Sequence, residues 1–326
     1  MKRREFIALI GCAAAWPLTA TAQQVTLPVV GFLSGRSLSS DAHLVRAFRN
    51  GLNEAGYVEG QNAVIKFRWA EGKPDKLPEL AADLVAHKVA VVFMGAADVG
   101  VHKIKAALPE IPVVFATGGD PVALGIAASL ARPGGNFTGM TVLSASLWPK
   151  RLALLRELIG RTDLIAVLIN PANDTAAQAT KDVEAAAKDI GQRITLLNAK
   201  SETEFDTAFT TISSERANAL VVPDDAVFIN GRKKLIALAS QHALPTIYGR
   251  REFPTDGGLV SYGASVTDQY RQCGLYVGRI LGGAKPTDLP FLQPTKFELV
   301  INVRAAKTLG LKVPETLVVA ADELIE

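Results

Sequence analysis

Cysteine is almost missing from this chain, with two in 326 residues, Cys12 and Cys273, and histidine is nearly as scarce with four. Charge of one sign is missing too: 35 basic residues stand against 32 acidic ones, and no basic run interleaves with aromatics. That balance argues against a nucleic-acid binder. His43, His87, His102 and His242 fall within or at the ends of helical stretches, with no partner at metal-ligand spacing. No G-x-S-x-G elbow, H-E-x-x-H pair, P-loop or G-x-G-x-x-G follows a strand-like run. The reading at this level contains no catalytic residue, no metal and no cofactor. Cys273 sits in a helical pattern beside Gly274 and Leu275 and reads as a core residue rather than a nucleophile. Apolar content is not scarce. At 48% hydrophobic and a net charge of +3, the chain can build large cores and is not a disordered polymer.

Long hydrophobic runs are also absent. Phe6 to Pro17 is mostly apolar but well short of the ~20 residues that span a bilayer. Lys2, Arg3 and Arg4 precede it, and Ala20-Thr21-Ala22 follows with the small-x-small pattern of a cleavage site, so residues 1–22 read as a signal peptide with Gln23 as the new N-terminus. Arg3-Arg4-Glu5-Phe6-Ile7 resembles a twin-arginine signal, and the general secretory route stays open beside it. A competing reading takes Leu9-Ile10-Gly11-Cys12 as a lipoprotein box with Cys12 acylated. Cleavage after Ala22 leaves 32 basic against 31 acidic residues and Cys273 alone, which rules out an intrachain disulfide in a compartment that permits them. The expectation is a soluble, exported, periplasmic protein.

At about 100–200 residues per domain, the length suggests two domains. From Leu27 onward, short β-branched runs alternate with amphipathic helical stretches, the pattern of parallel sheets covered by helices. Val29–Leu33, Val64–Trp69, Val89–Phe93, Val113–Ala116 and Phe137–Val142 are the strands of a first series. Helices are predicted at 41–55, 76–87, near 98–107 and near 121–130. After Trp148-Pro149 the grammar restarts, with strands at Ile165–Ile169, Ile194–Leu197, Ala219–Val222, Thr246–Tyr248 and Leu259–Tyr262. Helices here cover 149–159, 175–190, 230–242 and 266–281, and Ser201-Glu202-Thr203-Glu204 has capping-box spacing. Phe297–Asn302 with 303–309 is a last βα pair.

Ligands of open α/β sheets bind outside the carboxyl ends of the strands. That rule selects Ser34-Gly35-Arg36-Ser37, Gly95-Ala96-Ala97-Asp98 and Thr117-Gly118-Gly119-Asp120 in the first series. In the second it selects Asn170-Pro171-Ala172-Asn173-Asp174, Pro223-Asp224-Asp225 and Tyr248-Gly249-Arg250-Arg251-Glu252. Small residues there let backbone N–H groups approach a ligand, and the helix N-termini behind them favour anionic groups. Asp224 and Asp225 suit an ammonium or a set of hydroxyls, and Tyr248, Phe228 or Tyr262 could supply an apolar wall with a polar tip. Turn and cap chemistry accounts for many of the same residues singly; their concentration on one edge of both sheets favours a cleft. Adjacent residues such as Asp224 and Asp225 seldom face one centre, which argues against acid/base catalysis by the pair.

The chain resembles the substrate-binding proteins of ABC importers with the type I periplasmic-binding fold, in the subfamily of tryptophan-type amino-acid binders. The stretches that carry the likeness are Val30-Gly31-Phe32-Leu33-Ser34, Leu52–Gly60 with Gln61-Asn62, Arg68-Trp69-Ala70-Glu71-Gly72 and Gly118-Gly119-Asp120-Pro121-Val122. Others are Ala128–Gly135, Thr138-Gly139, Asn170-Pro171-Ala172-Asn173, Ser261-Tyr262-Gly263, Pro294–Asn302 and the final Ala321–Glu326. The resemblance implies an α/β fold of two lobes, each a mainly parallel sheet flanked by helices, with the ligand cleft between them. Lobe I would comprise 26–143 plus 266–292 and lobe II 147–262 plus 296–326, with hinge crossings near 143–147, 262–266 and 292–296. It implies capture of a small polar solute, an amino acid or related compound, and its delivery to permease subunits whose ATPase acts indirectly. The protein would act as a monomer. The expected ligand-binding residues are Ser34, Gly35, Ala96, Thr117, Gly118, Asp120, Asn173, Asp224, Phe228, Tyr248 and Tyr262. Among them Ser34, the backbone at Ala96 and the Gly118-Gly119 turn would hold an anionic end, Asp224 an amino group, and Tyr248 would cover the side chain. Two alternatives stay beside this reading: a periplasmic enzyme on a two-lobed scaffold, and a ligand-sensing accessory to a membrane receptor.

Overall fold

The computed structural model describes residues 27–96, 101–160 and 162–326. The expected signal peptide with Cys12 lies outside the described residues, as do Ala97 and Asp98. The chain opens with β1 (Val29–Ser34), α1 (Leu38–Glu54), β2 (Val64–Trp69), α2 (Leu77–Ala86), β3 (Val91–Gly95), α3 (Val101–Ala107), β4 (Val113–Thr117) and β5 (Phe137–Thr141). These five strands form one parallel sheet in the order β2-β1-β3-β4-β5. Both faces are covered, so its central strands read as unbroken apolar runs such as Val91-Val92-Phe93-Met94 rather than as an alternation. Alternate residues divide between two cores. Val30, Phe32 and Phe93 pack with Leu44 and Phe48 of α1, while Leu33, Val92 and Met94 pack with Leu77, Leu84, Val101 and Ile104 of α2 and α3.

The second half continues with α4 (Trp148–Ile159), β6 (Leu164–Ile169), α5 (Ala176–Asp189), β7 (Arg193–Asn198), α6 (Phe205–Glu215), β8 (Ala219–Val222), α7 (Ala226–Asn230) and α8 (Arg232–Gln241). Then come β9 (Thr246–Tyr248), α9 (Glu252–Thr255), β10 (Val260–Ala264), α10 (Val266–Leu281), β11 (Phe297–Asn302), α11 (Val303–Thr308), α12 (Glu315–Ala320) and β12 (Glu323–Ile325). The second sheet has the order β12-β11-β10-β9-β8-β6-β7, parallel except where β10 meets β11. Its two faces are again separately filled: Ile165 and Val167 pack with Leu152, Leu155 and Val183, whereas Ala166 and Leu168 pack with Phe205, Phe209 and Leu235.

Helix α10 does not pack on the sheet that precedes it. Its Tyr270, Cys273 and Val277 join Phe48 and Leu52 in the core of the first sheet. Contact with α1 is close enough to require glycine: a Cβ on Gly51 would stand 1.8 Å from the Arg271 carbonyl oxygen, and one on Gly274 2.2 Å from that of Phe48. After α10 the chain still touches the first sheet, where Leu292 exchanges backbone hydrogen bonds with Gly139 and Thr141 of β5. It then pairs as β11 with β10 in the second.

Four local expectations need correction. Helix α1 begins at Leu38 rather than 41, because Ser37 and Ser40 cap each other's backbone N–H groups in a capping box. No helix forms over 121–130; Gly125 lies in the left-handed region and the N–H groups of Ile126 and Ala127 both turn back to the Pro121 carbonyl. The helix expected at 230–242 is α8 alone, with α7 a separate turn before Gly231. Ser201 makes no capping bond. Its hydroxyl meets Thr203, Glu204 accepts the Lys200 N–H, and a 3-10 turn at Glu202–Glu204 leads into α6 instead.

Candidate functional site

All six strand-end loops selected from the sequence meet between the two sheets. A small inner cavity of about 40 Å³ is lined by Arg36, Ala96, Thr117 and Gly118 from the first sheet's loops, and by Asn173, Asp224, Asp225 and Arg250 from the second's. Helix α10 adds Gln269 and Tyr270 to the same wall. A larger outer cavity of about 300 Å³ shares Gly118, Asn173, Asp224 and Asp225 with it, and its apolar lining includes Leu124, Leu143, Trp148, Ile169 and Phe228. A polar chamber therefore adjoins an apolar one. That combination of mostly apolar wall and few convergent polar groups is what small-molecule sites present.

Ion pairs order the inner chamber. Arg36 is buried, with Nε donating to Asp41 at 2.9 Å and Nη2 donating to the Tyr270 hydroxyl at 2.8 Å. Burial disfavours its charge, but Tyr270, Asp41, Asp224 and Glu252 outweigh that and hold its pKa well above the usual value. Arg250 is buried opposite, with Nη2 2.7 Å from Glu252 and Nη1 3.3 Å from Asp224. Burial works against the Glu252 carboxylate as well, yet Arg250, His43 and Arg36 hold its pKa well below the carboxylate range. His43, on α1, lies 3.4 Å from Glu252 and so ties one half of the molecule to the other. A second tie is the Val101 N–H at the start of α3, which donates to Asp174 at 2.9 Å.

Asp224 and Asp225 diverge. Asp225 is 6% exposed and turns inward, where it caps α7 through the Val227 N–H at 2.8 Å. It also accepts from the amides of Asn170, at 3.1 and 3.0 Å, and Asn173, at 3.0 Å. Burial raises its pKa despite those bonds. Asp224 is partly exposed and faces Arg250 and both chambers.

The residues singled out from the sequence separate into three groups. Ala96, Thr117, Gly118, Asn173 and Asp224 line the inner chamber, and Asp120 and Phe228 line the outer one. Ser34 and Gly35 stand behind the wall: the Ser34 hydroxyl accepts the Arg36 N–H at 3.1 Å, and a Cβ on Gly35 would come within 2.0 Å of the Ala96 carbonyl oxygen. Tyr248 and Tyr262 are brought to neither chamber. The Tyr248 ring is buried and stacks on Phe253 at 4.2 Å, facing a separate pocket under α8, because side chains alternate along a strand and β9 ends with this position turned to the core. Tyr262 stacks on Phe297, and its carbonyl accepts from Arg151 Nε at 2.9 Å. Arg36 and Arg250 stood in the selected loops without being chosen. Gln269 and Trp148 carried no signal, because each lies on a helix that only the tertiary path brings to the cleft.

Residues 26–325 match the family described as ABC transporter substrate binding protein. The chain belongs to that family. A tyrosine-binding protein of Clostridioides difficile strain R20291 is 22% identical over 268 residues, covering 82% of this chain and 76% of that one. The ABC domain from Streptococcus pneumonia, solved in complex with L-Trp, is 24% identical with a TM-score of 0.84, covering 92% of this chain and 100% of that one. A conserved domain protein of Vibrio cholerae is also 24% identical, with a TM-score of 0.83 and coverage of 91% and 99%. The expected α/β architecture of two mainly parallel sheets flanked by helices is the one these structures share. The family is one of substrate-binding proteins rather than enzymes, and membership implies a small-molecule solute and work with ABC transporter components. Substrate-binding proteins of ABC importers are usually exported. Among the described residues no helix is long and apolar enough to cross a membrane.

Proposed function

We propose that this protein is the periplasmic substrate-binding component of an ABC importer. It captures an amino acid with an aromatic or large apolar side chain and delivers it to a membrane permease. Residues 1–22 direct its export. Capture proceeds by closure of two lobes, 26–143 plus 266–292 and 147–262 plus 296–326, about segments near 143–147, 262–266 and 292–296. The observation that carries the reading is the pair of adjoining chambers between the sheets, one ringed by Arg36, Asp224 and Arg250 and one walled by Trp148, Ile169 and Phe228. An α-amino acid divides in the same way, into a charged head and an apolar tail.

In this arrangement Asp224 meets the ammonium and the tail enters the outer chamber between Phe228 and Trp148. The inner chamber holds about three waters, at roughly 10–15 Å³ each, so the lobes part to admit a ligand and close on it. His43–Glu252 and Val101–Asp174 bridge the halves and favour their approach, and ligand contacts to both sides select the closed form. Micromolar capture needs about −8 kcal/mol, within reach of several charge-assisted hydrogen bonds and a buried ring.

A thermal-shift panel of the proteinogenic amino acids, sugars and polyols, followed by calorimetry, tests the assignment. Stabilisation by tryptophan, tyrosine or phenylalanine with micromolar affinity, together with a decrease in radius of gyration on binding, is the expected result. Stabilisation by a sugar and by no amino acid overturns it.

A further inference from the structure

Helix α10 brings a buried side chain to the cleft that no strand-end logic selects. Gln269 is 6% exposed and lines the inner chamber, and its Nε2 has no hydrogen-bond partner. Its neighbour Tyr270 also lines the chamber and accepts from Arg36 Nη2. The Arg36 guanidinium spends Nε and Nη2 on Asp41 and Tyr270, which leaves Nη1 with no partner among the described residues. Two side chains that line this chamber of about 40 Å³, one of them cationic, therefore each carry an N–H group without a partner among the described residues.

An orphaned buried donor costs about 1–3 kcal/mol. Such a cost at the edge of a cavity points to an acceptor that arrives with the ligand. Arg36 cannot move to meet it: Ser34 holds its backbone and Asp41 its Nε, and both partners are fully buried. A guanidinium and an amide N–H that line one chamber offer donors of the kind that meet the two oxygens of a carboxylate. On the facing wall Asp224 repels the same group, while the cation there, Arg250, is already paired with Glu252 and Asp224.

We infer that Arg36 Nη1 and Gln269 Nε2 form the carboxylate clamp of the binding site, with Gln269 the residue that distinguishes a carboxylate from an uncharged or missing group at that position. This deepens the reading above and rests on the same chamber. It places the negative end of the ligand against α10 and β1, and the positive end against β8.

The test compares wild type with Gln269→Leu and Gln269→Glu, each first shown to unfold at the wild-type temperature without ligand. Probes are L-tryptophan, L-tyrosine, tryptamine (which lacks the carboxylate), 3-phenylpropionate (which lacks the amine) and a set of aliphatic and hydroxy-carboxylates. Gln269→Leu is expected to weaken the amino acids about 10-fold or more, the loss of one hydrogen bond to a charged acceptor, while leaving tryptamine unchanged. Gln269→Glu is expected to weaken them further, by setting like charges together. Equal affinity of wild type and Gln269→Leu for the acids, or an equal loss for acid and amine, overturns the clamp. If wild type ignores amino acids but binds a plain carboxylate that Gln269→Leu loses, the clamp stands and the amino-acid assignment falls. If no carboxylate of the panel binds wild type, the clamp falls.

Discussion

Replacing Asp225 separates the geometry of the cleft from its charge. The side chain caps α7 through Val227 and gathers the amides of Asn170 and Asn173. Asn173 in turn accepts from the Thr175 N–H at 3.0 Å, so the loop after β6 hangs from one carboxylate on the loop after β8. Asp225→Ala removes a cap worth about 1 kcal/mol and strands the buried Asn170 amide at about 1–3 kcal/mol, with a smaller cost at the half-buried Asn173. The expected loss is about 2–4 kcal/mol. Asp225→Asn is expected to cost less than alanine, because it keeps one acceptor oxygen for the Val227 and Asn170 N–H groups and gives up only the oxygen that Asn173 meets. Charge itself contributes little there, since burial outweighs the hydrogen bonds and leaves the carboxyl easier to protonate than in the unfolded chain. Urea denaturation at neutral pH measures both, and calorimetry with the best ligand measures the consequence, a larger affinity loss for alanine than for asparagine. Equal losses for the two variants refute the argument, as does an alanine variant within about 1 kcal/mol of wild type.

Two further outcomes follow from the same coordinates. Glu252 is more acidic folded than unfolded, so its stabilisation is complete above the ordinary carboxylate range, about 4.3, and is lost as pH falls through its depressed folded value. Glu252→Gln should flatten the acid limb of the stability curve, and an unchanged limb counts against the pairing with Arg250. Tyr248→Phe should leave ligand affinity unchanged, because the ring lies on Phe253 and away from both chambers; a tenfold rise in Kd would return Tyr248 to the site.

Much of the fold was legible because buried parallel strands write themselves as apolar runs. The runs expected from Val29, Val64, Val113 and Ala219 each became a strand with that start, and those expected from Val89 and Ile165 became strands starting at Val91 and Leu164. Errors fell where a local signal had a competitor: Gly125 stopped a helix that Ala127 and Ala128 favoured, and Glu204 found the Lys200 N–H before the one a capping box requires. At the site, the strand-end rule picked loops that do meet between the sheets, but several side chains lining the chambers are others than those singled out. Tyr248 was misplaced because a residue at a strand's last position faces one side of the sheet or the other, and a three-residue strand such as β9 carries too short an alternation to say which. Arg36 and Arg250 were passed over because an arginine in a loop is most often solvated; here Asp41 and Glu252 bury them.

The apolar periodicity determined two sets of parallel strands with six polar loops at their carboxyl edges. Those are local properties, written in the order of residues along each strand and helix. Only the tertiary structure decided that Gln269 on α10 enters the cleft, and that Asp224 faces the chamber while Asp225 holds the loops behind it. The reason is physical: a side chain's partner in a cleft is set by packing between segments more than two hundred residues apart, as with Arg36 and Tyr270, and no local pattern encodes that distance.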